Sequence, residues 1–227
     1  MIFDQTQCQL GEGPLWHPTR KQLFWFDILG KRLHTKGRHW QFDNHVSAAG
    51  WIDQDSLLIA TDNALRHFDI ATGKHRAVCP LEADNPVTRS NDGRADPQGG
   101  FWIGTMGINA EEGAGAIYRY YKGELRQLFA PISISNAICF APDGKAAYFT
   151  DTPTQKIMRV AGYNPEGTFL ESFNFAGCQS SCPAFGGDDL TTLFCTTAAV
   201  GLDGPEHGKT FSCETTYKGQ AEHRVIL

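Results

Sequence analysis

The chain has 227 residues, of which 41% are hydrophobic and 20% charged, a balance that calls for a packed core rather than disorder. Its net charge of -5 and its scattered Lys and Arg argue against a nucleic-acid surface. No apolar run approaches the roughly 18 residues that cross a bilayer, and the opening "MIFDQTQCQL" lacks the basic and apolar regions of a signal peptide.

In chain order, a short N-terminal stretch leads into "CQLGEGPLWHPTRKQLFWFDI", where Glu12 stands alone between Gly11 and Gly13. Glycines permit close backbone approach, so this acid is either a turn residue or a ligand. Five apolar segments then recur, beginning at Lys21, Ser56, Gly100, Ala146 and Thr192. They are rich in β-branched and aromatic residues, as strands are. Each follows a turn: "HPTR", "DQD", "DPQG", "APDG" and "GGDD". After each comes an alternating segment ("KRLHTK", "ALRHFDI", "AIYRYY", "KIMRVAGY", "TFSCET") and then a third ("HWQFD", "HRAVC", "LRQLF", "FLESFNF", "HRVIL").

The spacing suits propeller blades, and no convincing helical period appears. The reading is an all-β, single-domain β-propeller over residues 1–227, with five four-stranded antiparallel blades. Closure places "MIFDQTQC" beside the C-terminal "EHRVIL" in one blade, leaving no edge unpaired. Trp16, Trp25, Trp51 and Trp102 read as blade-to-blade packing.

Counting back from each turn gives one column on the channel-lining strands: Glu12, Ala48, Asn91, Asn136 and Cys182. Three of these carry side-chain oxygens, which suit a hard divalent cation if the blades converge. The alternative for "SISNAICF" and "TRSNDGRADPQG" is turn or hairpin-loop chemistry. Arg89 lies two residues before Asn91, on the same face, and suits a polyhydroxylated or anionic ligand. Asp27 and Asp151 end matching strands and read either as structural groups bonding nearby amides or, for Asp151, as an acid that can turn into the channel. No His-rich zinc motif appears, the His residues fall mostly in turns or outer strands, and the seven cysteines form no CxxC pair. Buried reduced thiols in a cytoplasmic protein are expected.

Through "LGEGPLWHPTRKQLFWFDI", "RSNDGRADPQGGFWIGTMG", "SISNAICFAPDGKAAYFTDT" and "CPAFGGDDLTTLFCTTA" the chain resembles the senescence-marker-protein / gluconolactonase / luciferin-regenerating family, which includes regucalcin. The resemblance implies a propeller holding one divalent metal and hydrolysing sugar lactones. It implies Glu12 and Asn136 as metal ligands and Arg89 and Asn91 as substrate-binding residues, with Glu111 or Glu112 supplying a further acid after "GTM". Calcium is the expected ion, with zinc, manganese and magnesium as alternatives.

The family has six blades where five are counted here. The missing material falls between "TQKIMRVA" and "GYNPEGTFLESFNF", and with it an Asp that serves the family as ligand and base. Ser181 or Cys182 stands in that column instead, and Asp151 is the candidate substitute for the catalytic acid. Three functions remain open: a metal-dependent lactonase, a protein that only binds a metal or a small sugar acid, and a five-bladed variant with neither property. No nucleic-acid or membrane partner is expected. A closed ring predicts a monomer and an open one a dimer.

Overall fold

The structure, a computed structural model, describes residues 1–144, 146–154, 175–176 and 179–227, and the backbone of 156–160. The expected missing-blade junction and the segment "FLESFNF" lie outside the described residues, except for Phe175.

Five antiparallel sheets follow one another along the chain. The first holds β2 (Gly11–His17), β3 (Gln22–Asp27), β4 (Arg32–Thr35) and β5 (Arg38–Gln41). The second holds β6 (Val46–Asp53), β7 (Ser56–Thr61), β8 (Ala64–Asp69) and β9 (His75–Pro80). The third holds β10 (Thr88–Ala95), β11 (Phe101–Gly107), β12 (Gly115–Tyr121) and β13 (Glu124–Ile132). Of the fourth, β14 (Ser135–Phe140), β15 (Ala147–Asp151) and β16 (Lys156–Val160) are described. In the fifth, β17 (Gln179–Gly186), β18 (Thr192–Ala198) and β19 (Thr210–Glu214) are joined by the N-terminal β1 (Ile2–Asp4), giving the order β1-β19-β18-β17.

This is a β-propeller. The first strands of successive sheets pack side by side: β17 on β2, β2 on β6, β6 on β10 and β10 on β14. The fourth and fifth of these strands, β14 and β17, do not pack on one another to a comparable extent. Apolar residues on the sheet faces fill the spaces between blades, as in the cluster of Phe24, Phe26, Leu33, Leu57, Ile59 and Phe68 joining the first two sheets. Aromatic pairs sit at the same seams. Trp16 stacks on Phe194 at 5.7 Å, His17 meets Trp51 at 5.6 Å, and Trp102 meets Phe140 edge-on at 5.4 Å. Among the described residues no helix is long and apolar enough to cross a membrane.

One expectation is corrected. The N-terminal strand does complete the last sheet, but Glu222–Leu227 is not an outer strand beside it. The tail crosses to the second and third sheets, where Val225 N donates to Trp51 O at 2.8 Å and Ile226 N to Gly99 O at 2.8 Å. Val225 is fully buried there, and Glu222 reaches Arg94 at 3.5 Å. Burial of the valine and a countercharge for Arg94 outweigh one more edge pairing, because β19 already has β1 as its partner.

Candidate active site at the channel

In every sheet the register of the first strand against the second breaks near the column position. The breaks fall between Glu12 and Leu15, Val46 and Ala48, Ser90 and Gly93, Asn136 and Cys139, and Ser180 and Cys182. A bulge places two residues opposite one and re-aims the side chains it carries. Gly13 adopts φ +53°, and a Cβ there would collide with Ser47 O of the next sheet. A Cβ at Gly11 would meet Thr197 O on the other side. The two glycines around Glu12 therefore serve close packing against both neighbouring blades, and Glu12 projects from the bulge between them.

Hydrogen bonds join the column across three sheets. Ser47 Oγ donates to Ser90 Oγ at 2.7 Å. Arg89 Nη1 donates to Ser90 O and to Asn91 Oδ1, both at 2.9 Å. Asn91 Nδ2 donates to Ser135 O at 2.8 Å and to Asn136 Oδ1 at 3.2 Å. Asn136 Nδ2 then donates to Thr152 Oγ1 at 2.9 Å. Arg89, Asn91 and Asn136 are thus brought together as a single polar run. Arg89 is buried, and its Nε has no hydrogen-bond partner.

Glu12 faces this run electrostatically. Its carboxylate accepts one long bond, 3.3 Å, from the adjacent Gly13 amide and has no ion-pair partner among the described residues. Burial, together with the nearby Asp92, pushes its carboxyl up to about 7, against the opposing pull of the Gly13 amide and Arg89. Burial likewise raises Asp92, despite Arg94 and a 2.7 Å bond from Ile138 N to Asp92 Oδ2. Two crowded acids that each stay raised despite a nearby arginine make a site that favours a cation. A carboxylate and an amide oxygen are the donors a hard divalent ion takes, so the residues present fit one. Further along the channel Gly13, Leu15, Asp92, Arg94, Cys182 and Glu222 close around a cavity of about 10 Å³, room for roughly one water.

The remaining candidates fall elsewhere. Ala48 is buried and brings no donor. Cys182 is crowded beside Glu12 and Asp92, and burial raises its thiol well above the ordinary range. Glu111 lies in the loop between β11 and β12, where it accepts from Asn109 N and Nδ2, each at 3.0 Å. Asp151 is buried at the end of β15, and it accepts from Ser133 N at 3.1 Å and from Ile134 N at 2.8 Å. The stretch "TRSNDGRA" is an inner strand, not a hairpin loop. That assignment brings in Asp92, which the turn reading had passed over. Period-2 alternation alone would have faced it away from Asn91, and the bulge turns it inward.

The SMP-30/Gluconolactonase/LRE-like region matches residues 10–162, and the chain belongs to this family. A solved structure titled as the calcium-binding protein regucalcin, from Agrobacterium tumefaciens, superposes with a TM-score of 0.94 at 35% identity, covering all of this chain and 97% of that one. The 6-deoxy-6-sulfogluconolactonase of Pseudomonas putida is 27% identical over 94% of both chains. The pentonolactonase XacC of Haloferax volcanii is 28% identical over 88% of this chain and 85% of its own. The Pseudomonas alignment runs over 277 positions against 227 residues here, so at least 50 positions of that relative have no counterpart in this chain.

Proposed function

We propose that the chain hydrolyses a sugar lactone at the channel mouth, with one divalent cation held by Glu12 and Asn136. The observation that carries this reading is a buried carboxylate crowded by Asp92 and without a direct ion pair among the described residues, Glu12, facing the bonded run Arg89–Asn91–Asn136. The names of the relatives, pentonolactonase and sulfogluconolactonase, support the substrate class.

When bound, the cation would supply Lewis-acid polarisation of the lactone carbonyl. The chain's own residues do the rest. The unpaired Nε–H of Arg89 offers a donor to an oxygen of a polyhydroxylated ring, and Asn91 would offer one by releasing Asn136 Oδ1. Glu111, on the loop between β11 and β12, would meet a ring hydroxyl only by releasing Asn109. Water adds to the carbonyl carbon, the ring C–O bond breaks, and the ring oxygen leaves as the hydroxyl of the open acid. Asp151 would take the water's proton only by releasing the amides of Ser133 and Ile134. That commitment favours a second reading, in which the channel binds a cation or sugar acid without turnover.

Hydrolysis of glucono-1,5-lactone and of a pentonolactone, followed with and without chelator, separates the two. Chelator-sensitive turnover that Glu12→Gln abolishes supports the enzyme. Cation binding by calorimetry with no turnover supports the binding protein. Neither activity nor binding removes both.

A further inference from the structure

Outside the channel, three buried side chains meet where the first sheet abuts the last. Cys8 Sγ, a carboxylate oxygen of Asp27 and a ring nitrogen of His34 all lie within 4.8 Å of one another. Their relative exposures are 1%, 2% and 3%, so none of the three owes its position to solvent. We propose that Cys8, Asp27 and His34 form a second metal site, built for a borderline-soft divalent ion of the zinc class, that clamps the N-terminal crossing segment onto the first blade.

The ligand set argues for that chemistry. Thiolate, imidazole and carboxylate are the zinc donors, whereas hard cations take oxygen alone. A thiolate and a carboxylate around a dication leave the buried site neutral, which removes the main cost of enclosing charge. The edges of a tetrahedral zinc site are roughly 3.5 Å, so side-chain shifts of about an ångström close the set.

A separate observation points to a missing ligand. His34 Nε2 is buried with no hydrogen-bond partner, and the ring of Trp25 stacks on His34 at 5.6 Å. Orphaned polar atoms in a buried cluster cost stability unless something satisfies them. Asp27 is already fixed as a ligand should be: Gln9 N, Leu10 N and Gly30 N donate to its two oxygens at 3.0–3.1 Å.

The position gives the site its role. Residues 5–9 link β1 in the last sheet to β2 in the first, and apart from Cys8 they are exposed. Cys8 N is bonded to Gly208 O and its side chain points beneath this link, so lifting the link is the entry route. An ion bound to Cys8 from one side and to Asp27 and His34 from the other pins the place where the ring's ends are joined.

Cobalt(II) titration of the chelator-stripped protein tests this. A near-ultraviolet thiolate-to-cobalt band should saturate at one equivalent in the wild type and in Glu12→Gln, and vanish in Cys8→Ser and His34→Gln. In a Glu12→Gln background, which removes the channel's charged ligand, zinc at 100-fold over its dissociation constant should raise the melting temperature by roughly 5 °C or more, and adding Cys8→Ser should remove that shift. Should Cys8→Ser fail to fold, X-ray absorption at the zinc edge of the wild type decides: a sulfur neighbour at about 2.3 Å supports the site. A band that is absent from the wild type or persists in Cys8→Ser, or a shell of oxygen and nitrogen only, overturns it.

Discussion

The first and fourth sheets end their second strands on the same residue. Asp27 closes β3 opposite Gly11, and Asp151 closes β15 opposite Ser135. Each turns its carboxylate to the backbone entering its own first strand: Gln9 and Leu10 in one case, Ser133 and Ile134 in the other. At the matching offset from the turn the second, third and fifth sheets carry threonine, and Thr61, Thr105 and Thr197 bond the carbonyls of Ala64, Ala116 and Lys209. The column is therefore structural by construction. The difference lies in the surroundings. Asp27 has a thiol and an imidazole beside it, whereas Asp151 neighbours Asn136 through Thr152 and lies near the channel. The same carboxylate, held in the same way, borders two chemically distinct clusters.

The sharpest way to break this comparison is to remove each acid. Asp27→Ala leaves three amides without acceptors and should cost about 3–5 kcal/mol in urea unfolding, with Asp151→Ala, which strands two, costing less. Asp151→Asn that keeps its melting temperature but loses lactone hydrolysis would show the two acids to differ in role, making Asp151 the base.

Glu12→Gln should lower lactone turnover by about 100-fold or more, some 2.7 kcal/mol in the barrier. In chelator it should leave the protein no less stable at pH 8, because it removes a crowded negative charge.

The pH dependence in chelator comes next, at up to about 1.4 kcal/mol per pH unit for each group. Glu12 is raised from 4.5 to about 7, so the native state holds its proton longer, and this contribution is full below 4.5 and is lost as pH rises towards 7. His34 is lowered from 6.5 to about 4, so its contribution is full above 6.5 and is lost as pH falls towards 4. The two slopes oppose each other in the wild type. Glu12→Gln should uncover stability that rises with pH across this window, and His34→Gln stability that falls.

The smallest effect belongs to the tail. Glu222→Gln removes the countercharge of a largely buried Arg94 and should cost about 1–2 kcal/mol. A larger loss would mean that the tail, rather than the Asp27 end, holds the first blades in place.

The turns and apolar runs made the blades legible, because strand period and turn chemistry are local. Spacing from those turns also placed Arg89, Asn91 and Asn136 together, since a repeat read at one height marks one ring of the channel. Asp92 was not legible, because a bulge inverts the alternation by which its direction would be judged. The tail was misread for a related reason: "HRVIL" has the pattern of a strand, and only the occupied edge of β19 sends it elsewhere.

By itself, then, the sequence determined the blades, their order and the polar column, since these follow from local preference repeated along the chain. The tertiary structure decided what the seams contain. Cys8, Asp27 and His34 sit at no spacing that marks a ligand set, and they meet because the N-terminal link crosses from the last sheet to the first and lowers a cysteine onto an aspartate and a histidine already buried there.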